Sequence, residues 1–121
     1  MSAERVYDVE ERLLHYGDRI IRFTEALPNS RAGNHIAQQL LRSGTSPVAN
    51  HAEAQAAESP DDFIHKLRIC LKELRESRRW LQLAQCAFFR RTPAKVDPLI
   101  EETDELIRIF VKSIKTAQSR K

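Results

Sequence analysis

Arg68, Lys72, Arg75 and Arg79 stand four, three and four residues apart. On a helix this spacing confines them to an arc of about 60°, a continuous basic line. A row of guanidinium and ammonium groups is the chemistry that neutralises a phosphate backbone and releases its counterions. The same row also reads as a solvated face, partly paired with Glu76 and with acids of a neighbouring helix or subunit. Arg90 and Arg91 follow Phe88 and Phe89. Aromatics beside arginines can stack on unpaired bases; the plainer reading is that the two Phe close the end of a helical core.

Three further groupings surround this line. Ile69 and Trp80 lie together away from the core stripe, near Glu73, Glu76 and Leu83. A helix with a second apolar strip is expected to bury it against another chain, and Trp is favoured at such contacts. The competing reading is a Trp over the rim of its own bundle. Arg78 projects onto the apolar side, where a buried guanidinium needs a partner. The polar positions Arg42, Ser43, Ser46, Asn50 and Glu53 recur at helical spacing and supply candidates. They read either as a polar channel or as an interhelical network, with Glu53 or Glu58 as the expected ion partner of Arg78.

Catalytic and metal-binding patterns are missing from the sequence. His51-Ala52-Glu53 matches the first half of a zinc deaminase signature, but the second half, P-C-x-x-C, does not occur. The four histidines form no i,i+4 pair and stand at no ligand spacing from a cysteine. Phosphate-cradling glycine loops and a nucleophile elbow are likewise missing. The expectation is a protein that is not an enzyme and takes no cofactor or metal. Cys70 and Cys86 fall on one predicted helix about 24 Å apart, too far for a disulfide. Two free thiols fit a reducing compartment.

Four amphipathic segments must position these residues, and no strand pattern appears. The first is expected from about Asp8, with Asp8 and Glu11 as a capping box, and carries Leu13, Tyr16, Ile20 and Leu27 on one face. The second, about 30–57, places Ile36, Leu40, Pro47 and Ala54 on one face among many small residues. Pro47 predicts a kink near residues 43–47; the alternative is two shorter helices broken at Gly44. The third starts at Ser59-Pro60-Asp61-Asp62, an N-cap followed by proline and two acids at the positive helix end. It is expected to run to about residue 86. The fourth, about 93–117, buries Leu99, Thr103, Leu106, Phe110 and Ile114. Short connections predict an all-α, antiparallel up-down-up-down four-helix bundle in one domain.

The chain has 121 residues, 31% charged, with a net charge of only +3. That balance argues against a strongly basic monomeric binder, but the charge is sorted. Residues 1–60 sum to −2, residues 61–91 to +4 and residues 92–121 to +1. With no run of about 18 apolar residues, no membrane helix is expected. Charged residues near the N-terminus leave no apolar signal core, so the expected compartment is the cytoplasm.

The stretch L-L-R-S-G-T-S-P-V-A-N-H-A-E, Leu40 to Glu53, occurs with D-F-I-H-K-L at Asp62 to Leu67 and K-E-L-R-E-S-R-R-W-L at Lys72 to Leu81. Together they resemble the bacterial four helix bundle protein family, also known for proteins encoded in intervening sequences of 23S ribosomal RNA genes. The resemblance covers about residues 8–117. It is similar, too, to the accessory variability proteins of diversity-generating retroelements, basic pentamers that bind a reverse transcriptase and nucleic acid. The resemblance implies an antiparallel bundle, a homopentameric ring, and RNA, DNA or a reverse transcriptase as partner. Arg42, Ser43, Ser46, Asn50 and Glu53 match the helix-two motif; Glu73, Glu76 and Trp80 match the helix-three motif. Ala54 stands where many relatives carry Gly. The leading expectation is a homo-oligomeric scaffold that binds RNA or a nucleic-acid enzyme. The alternative is a purely structural or protein-partner module.

Overall fold

The computed structural model describes the backbone of residues 2–121 and the side chains of residues 9–121. Four α-helices account for almost all of it: α1 (Ser2–Glu25), α2 (Arg31–Gln55), α3 (Pro60–Phe88) and α4 (Asp97–Ser119). There is no strand among the described residues. α1 begins at Ser2 rather than near Asp8, whose capping-box side chain lies outside the described ones.

Local chemistry explains the starts. Ser59 is extended, and its Oγ accepts the Asp62 N–H at 3.1 Å, with Pro60 opening α3 and Asp61 and Asp62 in the first turn. Ser30 caps α2 in the same way, accepting the Gly33 N–H at 3.1 Å. A Cβ on Gly33 would lie 2.0 Å from the Pro28 carbonyl oxygen, so only glycine fits beneath the turn. Pro93–Lys95 forms a single 3-10 turn, and α4 opens at Asp97 without a side-chain cap. α3 runs on to Phe88, because nothing before Phe89 breaks it. α2 continues through Pro47 as one helix and is not divided at Gly44.

Packing follows the apolar periodicity. α2 lies against α3, α3 against α4, α1 against α2, and a thinner seam joins α1 to α4. The main core is built from Leu13, Ile20, Leu40, Leu74, Leu81, Leu106 and Phe110, all essentially inaccessible. Each such side chain contributes about 1.5–3 kcal/mol of burial. A smaller cluster of Leu27, Ile36 and Ala84 closes one end, where Phe23 and Phe89 meet with ring centroids 5.6 Å apart.

One buried layer is polar. Tyr16, Ser43, Ser77 and Thr103, one from each helix, are fully enclosed. Thr103 donates to the Leu99 carbonyl at 2.7 Å, so the Tyr16 hydroxyl is the donor to Thr103 Oγ1 at 2.8 Å. Ser77 donates to the Glu73 carbonyl at 2.9 Å, so Ser43 donates to Ser77 at 2.8 Å. Burial pushes the Tyr16 hydroxyl up to about 12. The layer ties α1 to α4 and α2 to α3 at one height, a register device that an all-leucine core lacks. Tyr16→Phe is expected to cost about 1 kcal/mol, the net value of one hydrogen bond. Urea denaturation checks this. The stability of wild type, but not of the variant, should also fall with an added slope above about pH 10, because only the unfolded tyrosine ionises there.

Candidate nucleic-acid interface

Packing of α3 decides where its cations point. With Leu67, Cys70, Leu74, Ser77, Leu81 and Ala84 held inward, Arg68, Lys72, Arg75 and Arg79 are all exposed along the outer face. None of these four makes an ion pair or side-chain hydrogen bond among the described residues. Arg90 and Arg91 are exposed just beyond the helix end and are equally unengaged.

Several other cations are engaged inside the chain. Arg12 holds Glu102 through two hydrogen bonds, 3.1 and 2.7 Å. Lys66 pairs with Glu53 at 2.8 Å, and Arg108 with Glu105 at 2.6 Å. Arg78 is not buried against Glu53 or Glu58, as its projection suggested. It is partly exposed and donates to Asp104 on α4 at 2.5 Å. Its position on the α4 side of the core stripe is the reason. Glu76 does not balance the outer row either: it faces α2, where Arg42 takes it together with Glu73.

The helix-two motif thus resolves into separate contacts instead of one network. Three consecutive residues, about 100° apart in projection, address two neighbouring helices. Arg42 reaches Glu73 and Glu76 on the α3 surface, Ser43 turns inward to Ser77, and Gly44 lies against Ile20 of α1. Further along, Asn50 donates to Ser46 Oγ at 2.8 Å, and Glu53 receives Lys66. Arg78 makes no hydrogen bond or ion pair with any of them and is engaged by Asp104 instead.

The second apolar strip of α3 is partly satisfied at home. Trp80 Nε1 donates to Glu76 at 2.9 Å, and its ring meets His35 edge-on at 5.8 Å. That N–H, and then Arg42, hold the Glu76 carboxyl below the usual carboxylate range. Ile69 is half-buried, whereas Leu83 is 48% exposed. Beside Trp80 lies an open groove of about 620 Å³ lined by Glu76, Arg79, Trp80, Gln82, Leu83 and Cys86. Arg79 therefore belongs to both the basic row and the groove wall. Gln82 was not singled out by the sequence, and Cys86 only as a free thiol. The available signal was their register: with Arg75 and Arg79 they are spaced i, i+4, i+7 and i+11.

Of the remaining chemically capable groups, Cys86 lines the groove and the others sit apart from this face. The Cys70 thiol is buried, donates weakly to the Pro47 carbonyl at 3.8 Å, and is pushed up to about 12 by desolvation. Cys86 is free and exposed. No group of three or more His, Cys, Asp or Glu among the described residues could hold a metal. No helix among them is long and apolar enough to cross a membrane. His51 is buried edge-on to Phe110 at 6.1 Å, with Gln55 3.3 Å from its Nε2. Burial lowers its pKa, with Glu10 opposing weakly. In the unfolded chain the imidazole protonates near pH 6.5. Between that pH and its lower folded value the unfolded state binds more protons, so stability falls as pH falls through this window. The melting temperature should drop more steeply below about pH 6.5 in wild type than in His51→Gln. Parallel curves would remove His51 from the acid response.

Similarity to known proteins follows the same helices. The family model for the 23S rRNA-intervening sequence protein matches residues 6–112. A crystal structure from Bacteroides thetaiotaomicron, a protein with unknown function from the S23 ribosomal protein family, superposes with a TM-score of 0.82 at 34% identity. The match covers 88% of this chain and 98% of that one. No functionally curated protein is significantly similar. With the family model spanning nearly the whole bundle, the chain belongs to the 23S rRNA-intervening sequence protein family.

Proposed function

We propose that this protein is a non-enzymatic, homo-oligomeric helical scaffold that binds RNA through the outer face of α3. The observation that carries the reading is the division of its cations. Arg12, Arg42, Lys66, Arg78 and Arg108 are neutralised within the chain, whereas Arg68, Lys72, Arg75 and Arg79 stand in line, exposed and without an ion pair among the described residues. A row of uncompensated cations costs self-repulsion that a polyanion relieves. The family description, which names an RNA-gene insertion, supports RNA over other polyanions. The placement of Cys70 and His51 as buried packing residues supports a role without catalysis.

The assembly belongs to the same reading. Contacts such as His35–Trp80, Ser43–Ser77 and Glu53–Lys66 run in opposite senses along α2 and α3, as do Arg78–Asp104 and Gln85–Asp97 along α3 and α4. These pairs support an up-down-up-down bundle, in which a bend of α2 at Pro47 fits the missing amide. A ring of such bundles, pentameric by family resemblance, repeats the basic row in every copy and multiplies a modest net charge. The cytoplasm, where RNA is available, is the compartment this role requires.

Filter binding with labelled RNA tests the proposal. Retention at low salt is expected to fall steeply as salt rises, linearly in log–log form. No retention at low salt ends the reading. Light scattering of the native protein should give a mass well above the 14.0 kDa of one chain. A monomer would remove the cumulative surface on which the affinity depends.

A further inference from the structure

The groove beside the basic row narrows the class of RNA, on the premise that the row itself binds RNA. We propose that the groove of Glu76, Arg79, Trp80, Gln82, Leu83 and Cys86 receives an unpaired base, so that the α3 face prefers single-stranded or looped RNA to duplex.

Three observations lead there. The first is continuity. Arg68, Lys72 and Arg75 approach the groove along the helix, and Arg79 is part of it. Successive cations rise by about 6, 4.5 and 6 Å at 1.5 Å per residue, which suits the phosphates of one strand followed in sequence. A duplex instead presents two strands across a groove, and this face offers only one line of charge.

The second is the character of the cavity. Its walls pair an aromatic ring and an exposed Leu side chain with a guanidinium. That combination takes the apolar face of a base while the backbone outside remains in contact with cations. A base within a duplex is stacked and paired and cannot enter. One acceptor stands at the site, the partly exposed Glu76 carboxylate, which suits the N–H groups of a base edge.

The third is orientation. Trp80 is held by its own chain, through the Glu76 hydrogen bond and the His35 ring contact. Its ring position is therefore set before any ligand arrives, and little entropy is lost on binding.

The test uses the intact protein and exploits Trp80 as its single tryptophan. Anisotropy titrations compare a labelled single-stranded RNA with a duplex of the same length, while intrinsic emission reports on Trp80. The expected result is roughly tenfold tighter binding of the single strand, the range of one stacked base, with quenching of Trp80 emission by the single strand only. Leu83→Ser, at an exposed position that keeps the fold and the tryptophan, should remove most of that preference and leave duplex affinity within about twofold. Trp80→Leu should do the same by anisotropy. Equal affinities for the two RNAs, or a single-strand preference untouched by Leu83→Ser, overturn the base-binding groove and leave the basic row standing. Failure to bind either RNA overturns both.

Discussion

Changing Arg68, Lys72, Arg75 and Arg79 together to Gln is expected to abolish RNA retention while leaving the fold intact. All four side chains are exposed and make no ion pair or side-chain hydrogen bond among the described residues, so their loss removes little packing. Surface changes of this kind usually cost within about 0.5 kcal/mol each. Each lost phosphate contact should reduce the salt slope by about 0.7–0.9. The net charge falls from +3 to −1, so a charge-matched control is essential. Arg22, Arg31, Lys112 and Lys115 are also exposed. Changing these four to Gln gives the same −1 but should retain binding and its salt slope. Filter binding of the two variants side by side separates a built face from bulk charge. If the control loses as much affinity as the α3 variant, position is irrelevant and the face has no special role.

Gly44→Ala should destabilise the protein by about 1–3 kcal/mol, the usual cost of overpacking a core. Propensity alone argues the reverse, since Ala in place of Gly in a helix interior gains up to about 1 kcal/mol. The sign is therefore informative. A Cβ at Gly44 would stand 2.8 Å from both Ile20 Cγ atoms and 3.0 Å from its Cδ1. Ile20 is wholly buried and β-branched, so its side chain has no open rotamer to retreat into. The steric penalty should win. Chemical denaturation should record a lower midpoint at an unchanged m-value. In an Ile20→Ala background, which removes the clashing atoms, the same Gly44→Ala change should cost little or become favourable. Equal costs in the two backgrounds would show that the α1–α2 approach at this point is looser than its geometry implies.

Much of this architecture is written in short stretches of chain. The start of α3 is legible because Ser59, Pro60, Asp61 and Asp62 act on backbone groups a few residues away. The inward faces of all four helices are legible because burial must follow the 3.6-residue period, and the outer placement of Arg68, Lys72, Arg75 and Arg79 follows as its complement. Where α4 opens was less so, since no side-chain cap marks its start. The family motifs are sequence properties, and the fold class came with them.

What the tertiary structure alone decided is partnership. A helical projection gives the direction in which a side chain leaves its own axis, but not which neighbour stands there. Arg78 thus meets Asp104 instead of Glu53, which is 51 residues nearer the start of the chain than that aspartate and already engaged by Lys66. The same holds for the hydroxyl layer of Tyr16, Ser43, Ser77 and Thr103, whose four positions acquire a common height only when the helices dock. It holds also for Trp80, which the sequence marks as a second apolar strip and the fold ties to Glu76 and His35, leaving a groove beside it. Periodicity, capping and charge sorting are local and survive in the one-dimensional text. Ion pairs, shared hydrogen bonds and cavities are relations between helices, fixed only when their relative rotation and height are fixed.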